Sequence, residues 1–275
     1  PTRALRRKNL GEFLLWSAIA RQGDRFATTL APTSPADLSS YQQWVALARR
    51  LKLPVTFEIG RSTPLPFPVL LSSAAAIVTT SVAAGFGLAF LEPWLVGRPL
   101  TGRDLPEITD DFKAHDIHLD GLYRHVLIPR DWIDLNIFRR KIESGYSQWR
   151  SAYGRPENNN ETERAFQAAM VDDRIDFGRL DEALQQNVIC RLAVSTQMRS
   201  EINPHQLLGA APSQPVIIQN REAIRRIYGS DRYRRQLERL YTRVGESGSG
   251  KLVAISGEVL LDRFLAPDRF YLLRT

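Results

Sequence analysis

The stretch "TTSVAAGFGLAFLEPW", residues 79 to 94, decides the fold, because it joins three local patterns of α/β proteins. It contains the end of an apolar strand, a loop with Gly85 and Gly87, and an apolar helix that holds Glu92 one turn inside. Glycines let a ligand approach the backbone closely, and the amides that open a helix attract anions. The stretch therefore predicts a loop that suits phosphate, although a tight turn without a ligand fits the same pattern.

The loop does not match the dinucleotide fingerprint G-x-G-x-x-G. Its third glycine would fall on Phe90, and the loop follows a late strand of the predicted sheet instead of the first. A nicotinamide cofactor is therefore not expected, and we predict no cofactor.

Strands and helices alternate on both sides of this loop. Residues 9–23 and 37–51 have apolar residues at helical spacing, whereas residues 26–31, 54–60 and 98–102 read as short strands. This alternation is typical of a parallel sheet with helices on both faces. We predict a doubly wound, Rossmann-like α/β domain over residues 1–130, with Asn9 as the N-cap of its first helix.

The remaining residues, 131–275, read as a helical extension. A run from Trp132 to Trp149 has helical spacing, and the sequence "FGRLDEALQQNVICRLA" at 177–193 predicts a further helix. We interpret residues 131–215 as a helical insertion without assigned chemistry, followed by closing helices.

Composition limits the classes of partner. The chain has 275 residues, 43% hydrophobic and 24% charged, which suffices for a sizeable core. Its net charge of +7 favours an anionic partner. The arginines between 221 and 243 are interleaved with acidic residues, however, so a solvated face is preferred over a nucleic-acid groove. No apolar run reaches the roughly 20 residues of a membrane helix.

Cysteine content predicts a reducing compartment. Cys190 is the only cysteine, so neither an internal disulfide nor a cysteine-based metal site can form, and cytoplasmic localisation is the expectation. The chain begins at Pro1 without a signal-like leader, which we interpret as a fragment or a processed chain.

The loop and the residues after it carry a family resemblance. After Gly85-Phe86-Gly87 and Glu92 come Gly97-Arg98-Pro99 and then "GRDLPE" at 102–107. This set resembles the donor-binding segment of retaining glycosyltransferases with two Rossmann-like domains, the GT-B type. Their motif is Glu-Gly-Phe-Gly with a second Glu eight residues after the first. The resemblance implies that the chain is the C-terminal, donor-binding half of such an enzyme.

The resemblance also implies a site. Arg3 and Lys8 match the basic pair that neutralises the donor diphosphate, and we place them as the catalytic residues. The backbone of Gly85, Phe86, Gly87 and Leu88 would bind the diphosphate, and Glu92 would accept hydrogen bonds from the ribose hydroxyls. The implied reaction transfers a sugar from a nucleotide-diphosphate sugar to the hydroxyl of an unidentified acceptor, with retention and without a metal.

One residue departs from the family motif. Ala84 occupies the position of the first Glu, which contacts the donor sugar near the reacting centre, and alanine can neither accept a hydrogen bond nor carry charge. Two hypotheses follow. The chain is a glycosyltransferase half that works with an amino-terminal acceptor domain, or it is a non-catalytic module that binds nucleotide sugars or acts as a scaffold.

The resemblance extends to the end of the chain. Residues 220–244 are similar to the family's closing helices, in which a stripe would be buried. The stripe consists of Tyr233, Leu237, Leu240, Tyr241 and Val244.

Other motifs are weaker. "GESGSGKL" at 245–252 has the spacing of a phosphate loop, but Leu252 replaces the Ser/Thr and the expected strand does not precede it. The pair His115 and His118 is interpreted as incidental and not as a metal site. The pair Asp110-Asp111 is expected to begin a helix.

Overall fold

The chain folds into α/β structure built from short strands and longer helices. The computed structural model describes residues 6–156, 159–202, 212–247, 254–267, 271 and 273. Arg3 and most of the segment 245–252 lie outside the described residues. The strands are β1 (Phe26–Ala27), β2 (Val55–Thr56), β3 (Ile77–Thr79), β4 (Leu100–Arg103), β5 (Leu122–Tyr123), β6 (Leu127–Pro129), β7 (Met170–Val171) and β8 (Arg174–Asp176).

Helices separate almost all of these strands. Short 3₁₀ turns cover Arg6–Lys8, Leu88–Phe90, Arg130–Trp132 and Phe177–Arg179. The α-helices are α1 (Leu10–Ala18), α2 (Pro35–Arg50), α3 (Ile59–Ser62), α4 (Phe67–Ser72), α5 (Glu92–Leu95), α6 (Pro106–Lys113), α7 (Leu135–Ala152), α8 (Asn159–Gln167), α9 (Glu182–Val194), α10 (Thr196–Glu201), α11 (Gln214–Tyr228), α12 (Ser230–Glu246) and α13 (Gly257–Phe264).

The strands before residue 127 pair in parallel, which confirms an α/β fold with parallel sheets. β1 pairs with β2, and β4 lies between β3 and β5. The prediction of one doubly wound sheet over residues 1–130 needs a correction, however. Within the described residues these strands form two separate parallel sheets, since β1 and β3 have no strand between them to pair with.

The later part of the chain is not purely helical, which corrects the predicted helical extension. β8 pairs antiparallel with both β6 and β7, and β7 and β8 form a tight hairpin in which Asp172 adopts a left-handed backbone. These strands have only two or three residues each. Such short segments leave almost no alternating pattern in the sequence. The boundary between residues 130 and 131 itself stays a prediction.

The buried apolar side chains form two cores. The larger contains the fully buried Leu14, Leu15 and Trp16 of α1 together with residues of α2, α7 and α9. The smaller lies around β3 and β4 and includes Phe90 and Trp94. The smaller core contains Ile77 and Leu100, the first residues of β3 and β4, and the larger core contains Tyr123 of β5.

Two local predictions were wrong. The loop is followed by a 3₁₀ turn and then by the four-residue α5, so Glu92 opens that helix instead of lying one turn inside it. Pro93, which suits a first helical turn, explains why the α-helix starts there. Asp110 and Asp111 lie in the second half of α6, which begins at Pro106.

Four of the five residues of the stripe predicted to be buried in the closing helices are exposed, and the fifth, Leu237, is half-buried. α12 packs beside α11, yet none of its residues is buried. Tyr233 is 62% exposed and Tyr241 is 70% exposed, and Leu240 and Val244 are also exposed. Helical spacing determines which residues share a face but not whether anything covers it.

None of the described helices combines the length and the apolar character that crossing a bilayer requires.

Candidate functional site

The predicted loop lies at the carboxyl end of β3. Thr79, Thr80 and Ser81 are buried, and the chain then turns outward so that Phe86 and Leu88 are exposed. Gly87 is buried with a φ of +84°, and a Cβ there would lie 2.5 Å from Ile108 Cγ2. Both the backbone conformation and the lack of space require glycine. The loop therefore has a fixed shape with backbone exposed at Gly85.

The basic segment Arg6–Lys8 contacts this loop directly. The amide of Val82 donates to the carbonyl of Arg7 (2.9 Å), and the hydroxyl of Thr80 donates to the carbonyl of Lys8 (2.9 Å). Burial and the neighbouring charge of Arg7 lower the pKa of Lys8. The structure thus places the backbone of Lys8 beside the loop.

Glu92 lies on the far side of the loop, at the start of α5. Its side chain is half-buried, and in the described part of the chain no hydrogen bond or ion pair engages it. A cavity of about 580 Å³ is lined by Lys8 and by Thr79–Ser81 but not by Gly85 or Glu92. Lys8 and the end of β3 therefore line one cavity, and Glu92 does not line it.

The side chains of Ala84, Phe86 and Leu88 in the loop do not line this cavity. Ala84 packs against the smaller core. The ring of Phe86 meets Tyr228 of α11 edge to face, with centroids 6.4 Å apart. The helix-opening amides expected after the loop belong to elements of three and four residues, which are too short for a helix dipole.

A buried ionic cluster near this site was missed by sequence reasoning. Arg103, the last residue of β4, is fully buried between Glu12 of α1 and Asp176 of β8. Its guanidinium makes two hydrogen bonds to each carboxylate, at 3.1 and 2.5 Å to Glu12 and 2.9 and 2.8 Å to Asp176. The hydroxyl of Tyr123 also donates to Glu12 (2.7 Å). The cluster connects the smaller core to the larger one.

The two carboxyl groups have opposite pKa shifts. Burial raises the pKa of Glu12, and this outweighs its attraction to Arg103. Burial alone would also raise the pKa of Asp176, but the charge and the hydrogen bonds of Arg103 and His125 hold it well below its usual range. Asp176 also accepts from the amides of Val126 and Gly178. Asp176 is therefore the carboxylate that stays charged against Arg103.

One sequence signal pointed to this cluster. Glu12 interrupts the apolar residues of "LGEFLLW" in the first helix, and a charged residue in such a setting needs a buried partner. The partner is 91 residues away in sequence, so periodicity could not identify it. Asn9, predicted as the N-cap, makes no capping bond with its side chain and instead donates to Glu12 (2.8 Å).

The histidines and the cysteine that the sequence analysis considered make ordinary hydrogen bonds. The Nδ1 of His115 lies 2.8 Å from the carbonyl of Asp111, and the amide of His118 donates to Asn220. Among the residues that the structure describes, no group of three or more His, Cys, Asp or Glu could hold a metal. Cys190 is half-buried in α9, and Arg50 donates to its sulfur (3.3 Å).

Comparison with known proteins gives one distant relative. The chain is 24% identical over 207 residues to the mannosylglucosyl-3-phosphoglycerate synthase of Petrotoga mobilis. The match covers 74% of this chain and 39% of that protein, so the chain spans well under half of its relative. No family model and no solved structure matches. The similarity supports a distant relationship to glycosyltransferases.

Proposed function

We propose that this chain is the donor-binding half of a glycosyltransferase that moves a sugar from a nucleotide-diphosphate donor to an acceptor hydroxyl with retention. The donor is a substrate, and no metal or separate cofactor takes part. The distant similarity to a synthase that makes a glycosylated product supports glycosyl transfer. The acceptor domain lies outside this chain, and the proposed site of action is the cytoplasm.

The contact between the basic segment and the loop carries this proposal. When the donor's glycosidic bond breaks, negative charge develops on the departing diphosphate, so the site needs fixed cations and amide donors there. Lys8 is held beside the end of β3 by the hydrogen bonds of Thr80 and Val82 to its segment. The exposed backbone at Gly85 supplies amide donors, and Arg3 is proposed as the second cation.

Glu92 is proposed to bind the donor ribose. A carboxylate can accept hydrogen bonds from two neighbouring hydroxyls, and that of Glu92 has no partner among the described residues that a ribose would have to displace. Its half-buried position at the end of the loop makes such contacts stronger than on an open surface.

Donor binding tests the proposal. Titration calorimetry with UDP-, GDP- and ADP-sugars, with this chain and with a longer form that includes an acceptor domain, should give saturable binding of one base type. Failure of all three to bind either protein would overturn the donor-site assignment.

Replacing Glu92 by Gln should weaken donor affinity about 10-fold, because one charge-assisted hydrogen bond of roughly 1.5 kcal/mol is lost. The measurement is the calorimetric Kd of the donor that binds the unaltered chain. Glu222→Gln on α11 is the matched control, since it removes an exposed helix carboxylate that is not proposed to touch the donor. Equal affinities for the two variants would exclude the ribose role of Glu92.

The non-catalytic alternative rests on Ala84. If the absent carboxylate strengthens its contact in the transition state, its loss costs about 2 to 4 kcal/mol in the barrier. The test uses a form that includes the acceptor domain. If the unaltered protein already releases nucleotide diphosphate, Ala84→Glu should change the rate of transfer or the preferred sugar. The non-catalytic module would be favoured if the unaltered protein bound the donor without turnover and the Ala84→Glu variant gained turnover.

A further inference from the structure

The helix α12 has an apolar stripe that nothing in the described part of the chain buries. α11, which precedes it, packs on the smaller core through Ile217, Ala223 and Ile224. Beyond Gly229 the chain continues as α12, in which no residue is buried. The α12 stripe consists of Tyr233, Leu237, Leu240, Tyr241 and Val244. An apolar surface along a whole helix is therefore left largely in contact with solvent.

The charged residues of α12 are arranged around this stripe. At about 100° per residue, the α12 stripe covers roughly 100° of the helix circumference, and roughly half of the circumference has no charged residue. Arg234 borders this charge-free half on one side, and Arg243 borders it on the other. The carboxylates all lie in the opposite half, at Asp231, Glu238 and Glu246. The first charged residue on either side of the stripe is therefore a cation.

Both bordering arginines can bind an anion. Their side chains are exposed, and neither forms an ion pair with a residue that the structure describes. The aliphatic part of an arginine can lie along an apolar surface while its guanidinium reaches a phosphate. Tyr233 and Tyr241 likewise combine an apolar ring with a polar hydroxyl, a combination that is enriched where lipid meets water.

A lipid surface fits this arrangement better than a protein or a nucleic acid does. The α12 stripe exposes on the order of 500 Å², less than the roughly 800 Å² that each partner buries in a stable protein interface. A nucleic acid is bound chiefly through its phosphate charge, which would leave the apolar side chains without a contact. A bilayer with anionic headgroups uses both features, because acyl chains contact the stripe and phosphates contact the bordering arginines.

We propose that α12 binds flat on the surface of a membrane that contains anionic phospholipids. The α12 stripe enters the boundary between headgroups and acyl chains, Arg234 and Arg243 lie at the phosphates, and the carboxylates of the opposite half face water. The net charge of +7 of the whole chain adds to the attraction. This inference does not rest on donor binding.

Vesicle binding by the full chain tests the proposal. The chain is sedimented with vesicles of phosphatidylcholine alone and with vesicles of equimolar phosphatidylcholine and phosphatidylglycerol. We expect the partition coefficient to be at least about 10-fold higher with the anionic lipid, because each arginine near the surface adds to the attraction. Raising the salt concentration should remove most of this difference, since exposed charges are screened.

Two variants separate the stripe from the rest of the helix. Leu240→Glu places a carboxylate in the α12 stripe, whereas Thr242→Glu places one on the opposite face. Both positions are exposed, and the two variants have the same net charge. Partitioning into the anionic vesicles should fall at least about 10-fold in Leu240→Glu and less than about 3-fold in Thr242→Glu.

A second pair of variants tests the bordering arginines. The double variant Arg234→Gln, Arg243→Gln removes the two cations next to the stripe. Its matched control, Arg235→Gln with Arg239→Gln, removes two exposed cations from the charged half. The first double variant should bind anionic vesicles about 5-fold more weakly than the control, because attraction to the surface decreases with distance.

Several outcomes would contradict the proposal. They are absence of vesicle binding, equal binding to the two lipid compositions, or equal losses in Leu240→Glu and Thr242→Glu. Loss of vesicle binding in a longer form that includes an acceptor domain would assign the α12 stripe to a contact with that domain. A dimer in solution that Leu240→Glu dissociates, without vesicle binding, would assign the stripe to a second copy.

Discussion

Arg103→Met is expected to lower the free energy of unfolding by about 3 to 5 kcal/mol, as when one partner of a buried ion pair is removed. The variant would leave Glu12 and Asp176 buried without their shared cation, and both carboxylates lie at 1% exposure or less. Methionine has a similar length, so lost packing contributes little. Denaturant unfolding followed by circular dichroism gives the measurement.

Two further variants identify the cause of this loss. Arg225→Met on α11 removes an exposed arginine and should change stability by less than about 0.5 kcal/mol. The double variant Arg103→Met, Asp176→Asn removes the carboxylate that stays charged against Arg103 and keeps an oxygen for the amides of Val126 and Gly178, so it should be more stable than Arg103→Met alone. A double variant no more stable than the single one would show that unpaired charge is not the origin of the loss.

Gly102→Ala is expected to destabilise the protein by at least about 3 kcal/mol. Gly102 has a φ of +127°, and a Cβ there would lie 1.8 Å from the carbonyl oxygen of Thr79 on the neighbouring strand. The clash is with backbone, so β3 and β4 would have to separate at their carboxyl ends, beside the candidate loop. The measurement is again the free energy of unfolding.

Gly121→Ala is the matched control for this variant. It precedes β5 in the same sheet, and its Cβ would come no closer than 3.2 Å to the carbonyl oxygen of Leu100. We expect a loss well below that of Gly102→Ala. Similar losses in the two variants would mean that the close approach of β3 and β4 is not what makes Gly102 necessary.

The helices α1 and α2 and the strands β1 to β4 could be predicted from the sequence, because apolar spacing reports which local structure buries a face. The gap between β1 and β3 could not. Sequence pattern identifies strands, but sheet continuity depends on which strands are neighbours in space. The short β7–β8 hairpin was missed because two or three residues provide no period to detect.

In the candidate site, too, local motifs could be identified from the sequence, whereas contacts between distant residues could not. Lys8 and the loop with Gly87 are local motifs, and hydrogen bonds from Thr80 and Val82 to the segment Arg6–Lys8 bring them together. The partners of Arg103 lie 91 and 73 residues away in sequence, and only tertiary packing determines such pairs. The roles of Arg3, Glu92 and the glycine backbone toward a donor stay predictions.

The exposure of α12 has a consequence for how the chain folds. A helix without a buried side chain gains little from tertiary packing, so we expect the stability of α12 to be near that of an isolated 17-residue peptide, which is marginal in water. α12 should therefore melt and reform many times within the lifetime of the folded cores. Such fraying makes it a separate cooperative unit, and global unfolding would not report on changes within it.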